Sequence, residues 1–301
     1  MSRRFLVTGA GGFIGRRLMA RLQAGGHEAF GWTRGHGDLA DREGVAIRLA
    51  DLRPSHIIHL AAVMRPAVPD GFQVVAAECR MLTNLLSAMP QECRLIYAGS
   101  MAEYGYSGTF AEEAPCFPRT AYGMAKHAGT GLALAARVIH GRDVRVARLF
   151  GVYGPGEAAS RLLPHVASRL ARGLPVPLSD GLQRRDFIHV DDVCTALLAM
   201  AEAEHLPLPL INIGTGQGVS VRAVCETIAE VLGADPALLD FGALPRRAVD
   251  EDCLIADPAR LRQVVAISPQ RWASVAAIRA DVMAVRDEVL AADDRADGSS
   301  S

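Results

Sequence analysis

The chain has 301 residues, half of them hydrophobic and 22% charged, with a formal net charge of −1 at pH 7. This length accommodates one large α/β domain or a domain with a smaller lobe. Because no strongly basic surface is indicated, we expect neither a nucleic-acid nor a membrane partner. The six cysteines form no CxxC pair, and no signal peptide or long apolar span is recognisable, so we predict a cytoplasmic protein with free thiols and no metal site.

A glycine-rich turn follows the first apolar run of the chain and precedes a helical pattern. Its glycines recur at three-residue intervals: Gly9, Gly12 and Gly15. Glycine permits the positive φ and the close ligand approach that such a turn needs. The helix that begins at Phe13 and Ile14 directs its first amides and its positive dipole end at the turn, which suits a pyrophosphate. The segment therefore predicts a dinucleotide-binding site.

Five short apolar runs alternate with helical patterns, and we predict them to be strands: residues 5–8, 28–32, 56–60, 94–98 and 144–149. Such alternation is typical of βαβ units. We therefore predict an α/β fold with a Rossmann-like doubly wound parallel sheet in residues 1–150. Prolines punctuate the second half, so residues 151–290 are predicted to form mainly a smaller C-terminal substrate-binding lobe, with strands returning to the sheet from about 180–215. The polar segment 291–301 is expected to be disordered.

The end of the second predicted strand bears on which dinucleotide is bound. NAD-binding folds carry an acidic residue about 20 residues after the glycine turn, whereas Thr33 and Arg34 stand here. Since an arginine can pair with a 2′-phosphate, we expect NADP(H), with NAD(H) as the alternative if Arg34 is only a solvated surface residue. The next turn, at Asp38, follows so soon that the usual third strand is expected to be very short or absent.

The next predicted strand ends in small residues at the mouth of the sheet. These residues, which would let a cofactor lie close, are Leu60, Ala61 and Ala62. The alternative is that the two alanines only pack a helix against a strand.

A second motif places Tyr122 and Lys126 four residues apart, so that on a helix they share one face. An ammonium group near a phenol stabilises the phenolate, which suits Tyr122 to act as a general acid or base. Ser100 follows the fourth predicted strand, where a βα loop would present its hydroxyl at the carboxyl edge of the sheet. We therefore predict a catalytic site at Ser100, Tyr122 and Lys126, with the serine bonded to a substrate carbonyl or alkoxide.

Together these segments resemble the extended short-chain dehydrogenase/reductases, in the branch of nucleotide-sugar epimerases, dehydratases and reductases. The resemblance covers about residues 3–290. It rests on residues 8–15, 59–62, 99–100, the pair 122 and 126, RLFGVYGP at 148–155 and RDFIHVDD at 185–192. It implies an NAD(P)-dependent enzyme in which Tyr122 is the acid/base, Lys126 holds the nicotinamide ribose and Ser100 orients the sugar oxygen. It also implies a homodimer.

The resemblance assigns further residues to ligands. Asp38 and Leu39 join the cofactor site, and Met101 joins Ser100 beside the substrate. Arg185 matches a phosphate-binding arginine of the family. Within residues 246–250, Arg247 matches the arginine that clamps the diphosphate, a role that suits the rigid guanidinium fork. The alternative for both arginines is solvated surface charge.

The motif after residue 185 also contains polar residues that we assign to structure. His189, Asp191 and Asp192 are expected to cap the next helix rather than to take part in chemistry.

Departures from the family's motifs bear on the reaction. Sugar 4,6-dehydratases carry an Asp-Glu pair directly after the catalytic serine or threonine, where this chain has Met101 and Ala102, which argues against dehydration. Gly151 replaces an asparagine that normally reaches the substrate phosphate. Glu78 stands where the family's helix often has asparagine.

We therefore predict an NADPH-dependent reductase of a nucleotide-linked 4-keto-6-deoxyhexose, with Tyr122 as the proton donor. The segment GSMAEYG at 99–105 is similar to the GSSAEYG form of GDP-4-keto-6-deoxymannose reductases. The alternative is an NAD-dependent nucleotide-sugar 4-epimerase, against which Arg34 and the short region after it argue. A third interpretation, a dinucleotide-binding sensor without activity, conflicts with the intact serine, tyrosine and lysine.

Overall fold

The computed structural model describes residues 3–63, 71–206, 208–267 and 271–298. Its strands are β1 Arg4–Thr8, β2 Glu28–Trp32, β3 His56–His59, β4 Arg94–Ser100, β5 Gly108–Phe110, β6 Val144–Leu149, β7 Gly151–Tyr153, β8 Val176–Leu178, β9 Arg184–His189, β10 Leu210–Ile213, β11 Gly218–Ser220, β12 Leu239–Phe241 and β13 Cys253–Ala256. Its α-helices are α1 Phe13–Ala24, α2 Arg42–Leu52, α3 Gly71–Ala88, α4 Ala121–His140, α5 Leu162–Ala171, α6 Val190–Glu202, α7 Val221–Leu232, α8 Leu261–Val264 and α9 Val275–Gly298.

Six strands form a parallel sheet in the order β10-β6-β4-β3-β1-β2. Strands β1, β3 and β6 are buried along almost their whole length rather than at alternate residues, as expected when helices cover both faces of a parallel sheet. Helices α1 and α6 cover one face, and α2, α3 and α4 cover the other. The predicted Rossmann-like doubly wound sheet is therefore confirmed.

The strand order reverses at β1, because its neighbours β2 and β3 lie on opposite sides of it. Open α/β sheets bind ligands beyond the carboxyl ends of the strands at such a point. Within the described ranges β2 is the edge strand, and α2 occupies the stretch between β2 and β3. The usual third strand is thus absent from this part of the sheet, in agreement with the short segment after β2.

The second half of the chain is divided between the main sheet and separate elements. Strand β10 returns to the edge of the main sheet, and α6 packs on its face. Strands β11, β9, β13 and β5 form a second sheet, with β7 paired to β9, and α5, α7 and α9 surround a core of their own. Because β5 precedes residue 150, this second sheet includes a segment from the first half. The division into two domains at residue 150 stays a prediction.

Helix α9 extends to Gly298, so it includes part of the segment 291–301, for which disorder stays a prediction. Residues 291–296 contain three alanines and one arginine, and both residue types are strong helix formers. Residues 299–301 lie outside the described part of the chain. None of the helices within the described ranges is long and apolar enough to cross a membrane.

Candidate active site

The glycine turn connects β1 to α1 and packs against the end of β3. Gly9 has a φ of 68°, and a Cβ atom there would lie 2.8 Å from the amide nitrogen of Ala61. A Cβ atom on Gly15 would collide with the carbonyl oxygen of Gly9. Both positions therefore require glycine, the first for its positive φ and the second for close packing.

The start of α1 fits a pyrophosphate group. Gly12 precedes the helix, no side chain caps it, and its first turn contains no acidic residue. The first amides of a helix have no partner within the helix, so those of Phe13 and Ile14 are placed to bind an anion at the positive end of the dipole. The residues at this turn thus fit the predicted dinucleotide.

The segment after β3 stands beside the glycine turn. The Thr8 carbonyl oxygen accepts the amide of Leu60, and Thr8 Oγ1 accepts the amide of Ala61 at 3.3 Å. Leu60, Ala61 and Ala62 are half-buried. The structure therefore places these three predicted cofactor residues at the same edge of the sheet as the turn.

The residues after β2 lie at the surface. Arg34 begins a short 3-10 helix, Arg34–His36, and its side chain is exposed. Its guanidinium forms no ion pair with any residue that the structure describes. The Asp38 carboxylate accepts the amide of Ala40 at 2.9 Å, whereas Leu39 is buried in the core. Among the predicted cofactor residues after β2, Arg34 is the positively charged one, and its side chain is accessible to an anionic ligand.

Ser100 ends β4 and caps the short 3-10 helix Met101–Glu103, of which Met101 is half-buried. Its Oγ accepts a hydrogen bond from the Ala102 amide at 3.2 Å. Tyr122 lies in the first turn of α4, where a side chain on the next residue, Gly123, would collide with the Ala102 carbonyl oxygen. The first turn of α4 therefore packs on the segment after Ser100, which brings the predicted serine and tyrosine to one edge of the sheet.

Lys126 lies one turn after Tyr122 in α4 and is 2% exposed. Its Nζ donates to Glu78 Oε1 on α3 at 2.7 Å, and the Tyr97 hydroxyl on β4 donates to the same oxygen at 2.8 Å. Burial acts to raise the pKa of Glu78, but the charge of Lys126 and these hydrogen bonds hold it below its usual value. The predicted lysine thus carries a buried counter-ion, which sequence reasoning noticed only as a departure from a motif.

Glu103 is a second buried carboxylate, and sequence reasoning did not assign it to the site. Its Oε1 accepts the Ser100 amide at 2.8 Å, and its Oε2 accepts from Arg148 Nη2 at 2.9 Å. Burial acts to lower the pKa of Arg148, but the charge of Glu103 raises it above its usual value. The available signal was the capping-box spacing, in which a glutamate follows a serine by three residues.

Three potential metal ligands, Glu103, Cys116 and His127, have ligand atoms within 4.8 Å of one another. The Arg148 guanidinium already occupies the Glu103 carboxylate, and its positive charge opposes a cation there. We therefore assign no metal to this group.

The predicted diphosphate arginines lie away from the main sheet. Arg185 of β9 is half-buried, and its Nη1 donates to the Glu251 carbonyl oxygen at 2.8 Å. Burial lowers the pKa of Arg185 against the opposing charge of Asp250. The Arg247 side chain is 82% exposed and pairs with Asp250 at 3.2 Å. Asp250 thus pairs with Arg247, whereas on Arg185 it acts through its charge alone.

The neighbouring Arg246 is engaged within the chain. It bridges the carboxylates of Asp180 and Asp252, each at 2.6 Å. Of the two adjacent arginines, Arg247 is therefore the one whose side chain is more open to a ligand, and its role stays a prediction.

The segments 148–155 and 185–192 run side by side, because β7 pairs with β9. A Cβ atom on Gly151 would lie 2.8 Å from the Asp186 carbonyl oxygen, so an asparagine at this position would require β9 to move. The Asp186 carboxylate accepts two backbone amides of the turn after β10. His189 caps α6 by accepting the Asp191 amide at 3.2 Å, which confirms the capping role predicted for it.

The model of the NAD dependent epimerase/dehydratase family matches residues 5–214. The dTDP-glucose 4,6-dehydratase of Streptomyces griseus is 29% identical over 273 residues, which cover 80% of this chain and 82% of that protein. The GDP-6-deoxy-D-mannose reductase of Pseudomonas aeruginosa is 28% identical over 297 residues, which cover 90% of this chain and 93% of that protein.

Two of the similar solved structures illustrate how far the likeness extends over the chain. The UDP-glucose 4-epimerase of Thermus thermophilus, in complex with NAD, has a TM-score of 0.80 at 26% identity and covers 94% of this chain and 99% of its own. RMD from Pseudomonas aeruginosa, complexed with NADPH, has a TM-score of 0.79 at 25% identity and covers 95% of this chain and 100% of its own. The similar proteins thus include a dehydratase, a reductase and an epimerase, and overall similarity does not choose among them.

Proposed function

Because the chain belongs to the NAD dependent epimerase/dehydratase family, we propose that it is an NADPH-dependent reductase of a nucleotide-linked 4-keto-6-deoxyhexose. The similar proteins support the broader part of this proposal, an NAD(P)-dependent enzyme that acts on a nucleotide sugar. The choice of NADPH rests on Arg34, which stands where NAD-binding folds place a ribose-binding acid. Its side chain is exposed and has no ion-pair partner among the described residues.

The residues after Ser100 support reduction over dehydration. Elimination of water across C5 and C6 requires an acid and a base beside the sugar. Met101 and Ala102 offer neither, and the nearby Glu103 is bonded to the Ser100 amide and to Arg148. Glu103 is therefore held in a structural role and is not free to exchange a proton with a substrate.

The positions of the three predicted catalytic residues support the following chemistry. Bound NADPH would supply a hydride to the carbonyl carbon at the sugar's C4. Tyr122 donates a proton to the carbonyl oxygen. Because Ser100 Oγ accepts the Ala102 amide, its own proton is available to the same oxygen as negative charge develops there. The positive charge of Lys126 stabilises the phenolate that remains on Tyr122.

The substrate's diphosphate would be held by Arg185 and Arg247. A guanidinium binds two phosphate oxygens at once and stays charged at any working pH. The exposure of the Arg247 side chain supports this assignment. Gly151 supplies no side chain for the phosphate, so the two arginines carry more of its binding.

The alternative function is an NAD-dependent nucleotide-sugar 4-epimerase. The similarity to the Thermus thermophilus epimerase in complex with NAD favours it. An epimerase would use Tyr122 first as a base and then as an acid, and it would retain its cofactor between the two hydride transfers.

A turnover assay with the purified chain distinguishes the two functions. We expect NADPH to be oxidised when dTDP- or GDP-linked 4-keto-6-deoxyhexoses are added, with the 4-hydroxy sugar as the product. NADH should support a slower reaction. Tightly bound NAD after purification, no net NADPH oxidation, and interconversion of two 4-hydroxy sugars would reject reduction in favour of epimerisation.

A further inference from the structure

Glu78 lies at the centre of a buried polar cluster below the proposed active site. Glu78 and Lys126 are 1% and 2% exposed, on two helices that pack against each other. Their contact of 2.7 Å joins a carboxylate directly to the ammonium group. The carboxylate therefore interacts with the lysine where water provides little screening.

Strand β4 holds the carboxylate from its other side. The Tyr97 hydroxyl donates to Glu78 Oε1 at 2.8 Å, and Lys126 Nζ lies 5.0 Å from the centre of the Tyr97 ring. One turn after the lysine, a Cβ atom on Gly129 would collide with the Tyr97 hydroxyl. The absence of a side chain at Gly129 thus gives Tyr97 the room to reach Glu78.

His59 of β3 adds no charge to this cluster. It is fully buried, its Nδ1 lies 2.6 Å from Thr8 Oγ1, and its ring centre is 5.9 Å from that of Tyr97. Burial lowers the pKa of His59 to about 4, with the charge of Glu78 acting in the opposite direction. The imidazole is therefore neutral near pH 7, and Glu78 is the carboxylate that compensates the lysine.

The other titratable groups near Glu78 and Lys126 come from the elements packed around these two side chains. Within the described ranges they are Cys79 on α3, Tyr97 on β4, Glu103 in the short 3-10 helix after β4, Tyr122 on α4 and His59 on β3. Glu103 is neutralised by Arg148. The charge balance beside Lys126 therefore depends on Glu78.

We propose that Glu78 is a positioning residue, whose carboxylate fixes the Lys126 ammonium group beside Tyr122 and keeps the Tyr122–Lys126 pair protonated in alkaline solution. The inference rests on the proposed function, in which Tyr122 must hold a proton in order to donate it. A negative charge next to the pair opposes the loss of that proton, whichever of the two groups releases it. The family often has an asparagine at position 78, and this neutral side chain would not have the same effect.

The pH dependence of NADPH oxidation tests the role of the carboxylate. We expect the parent protein to lose NADPH oxidation at high pH, because a pair that has given up its first proton cannot supply it to the substrate. In Glu78→Gln, which keeps the shape and removes the charge, we expect this loss to move at least about one pH unit lower, because an adjacent opposite charge commonly shifts titration by 1–3 units. Glu78→Asn should move the alkaline loss of activity in the same direction. This variant replaces Glu78→Gln in the test if the glutamine variant does not fold.

Two further variants separate charge from contact. Glu78→Asp keeps the charge and shortens the side chain, so its alkaline loss of activity should stay within about half a pH unit of the parent while the maximal rate falls. Tyr97→Phe removes a hydrogen bond to the carboxylate but no charge. The pH dependence of its NADPH oxidation should therefore also match that of the parent. If Glu78 had only a structural role, the rate would fall in all four variants and the pH dependence of activity would shift in none of them.

A measurement without substrate keeps this test independent of the proposed function. The Cζ carbon of Tyr122, labelled with carbon-13 and identified by its loss in Tyr122→Phe, responds to a proton leaving either member of the pair. Its first inflection should occur at lower pH in Glu78→Gln and Glu78→Asn than in the parent. If the first inflection occurs at the same pH in the parent and in both variants, the role of Glu78 is overturned. If the inflections shift but the turnover assay fails, only the proposed reaction is overturned.

Discussion

The carboxyl and amino edges of the same parallel sheet each gather charged side chains, but they balance them differently. Toward the carboxyl edge, Glu78 pairs with Lys126 and Glu103 with Arg148, one carboxylate for each cation, with all four side chains at most 3% exposed. At the amino edge, Asp143 is 33% exposed and faces three arginines. These arginines are Arg94, Arg137 and Arg145.

The difference separates charges placed for chemistry from charges that join chain segments. At the amino edge, Arg145 Nη1 also donates to the carbonyl oxygens of Met200 and Ala203, so it ties the end of α6 to β6. At the carboxyl edge each cation is neutralised before any ligand binds, in surroundings where charges interact strongly. Substitution of Glu78 or Lys126 at the carboxyl edge should therefore change catalysis, whereas substitutions at the amino edge should change stability alone.

The largest expected effect is on turnover. Tyr122→Phe removes the proton donor, and we expect the rate of NADPH oxidation to fall by about 10²–10⁴-fold. The melting temperature and the binding of NADPH should be unchanged, because no described element depends on the hydroxyl. Tyr106→Phe is the matched control, since this tyrosine packs on Phe110 outside the catalytic residues. Wild-type turnover by Tyr122→Phe would show that another group supplies the proton.

The second effect tests whether the buried pairs are essential to the fold. Glu103→Gln leaves the Arg148 guanidinium buried without a counter-ion, so the free energy of unfolding should fall by about 3–5 kcal/mol. Glu28→Gln is the control, because its partner Arg4 at 3.0 Å is exposed and the loss should be below about 1 kcal/mol. Denaturation in urea compares the two variants, and equal losses would contradict the contrast between buried and exposed pairs.

The third effect separates the two adjacent arginines of the second half. In Arg247→Ala the KM for the nucleotide sugar should rise by about 10–100-fold with little change in kcat, since one charge-assisted contact to the diphosphate is lost. In Arg246→Ala the rise should be smaller, because this side chain is engaged by Asp180 and Asp252. Steady-state kinetics at two salt concentrations provide the measurement. A larger rise for Arg246→Ala would exchange the roles of the two residues.

The fourth effect concerns cofactor choice at the open end of β2. Arg34→Ala should raise the KM for NADPH by about 10-fold and leave that for NADH unchanged, because only NADPH carries a 2′-phosphate. Arg42→Ala, an exposed arginine at the start of α2, controls for a general loss of positive charge. Equal changes for the two cofactors would remove the support that Arg34 lends to NADPH.

The smallest effect belongs to the amino edge. Partial burial acts to raise the pKa of Asp143, but the hydrogen bond from Arg94 and the charge of Arg145 outweigh it and hold the pKa below its usual value. Asp143→Asn should therefore lower the free energy of unfolding by about 1 kcal/mol at neutral pH. The loss should disappear as pH falls below about 4, through the lower folded-state pKa.

Thermal unfolding at a series of pH values, with turnover measured in parallel, tests this prediction for Asp143. A change in turnover that exceeds the change in folded fraction would contradict the assignment of the amino edge to stability alone.

Local signals were enough to locate much of the fold and part of the candidate site. Gly9 and Gly15 are required by a positive φ and by close packing within a few residues, and such constraints are visible in a short stretch of sequence. The five strands predicted in the first half occur within two residues of their predicted ends, since buried parallel strands are apolar throughout.

The sequence by itself determined the strand segments of the sheet, the glycine turn and the spacing of Tyr122 and Lys126, because each depends on residues close together in the chain. Only the tertiary structure decided which carboxylate neutralises Lys126 and which fixes Ser100. Glu78 is 48 residues from its lysine, and Glu103 is 45 residues from Arg148. Helical periodicity places a side chain on a face, but the packing of α3, α4 and β4 selects its partner and removes the water that would weaken the pair.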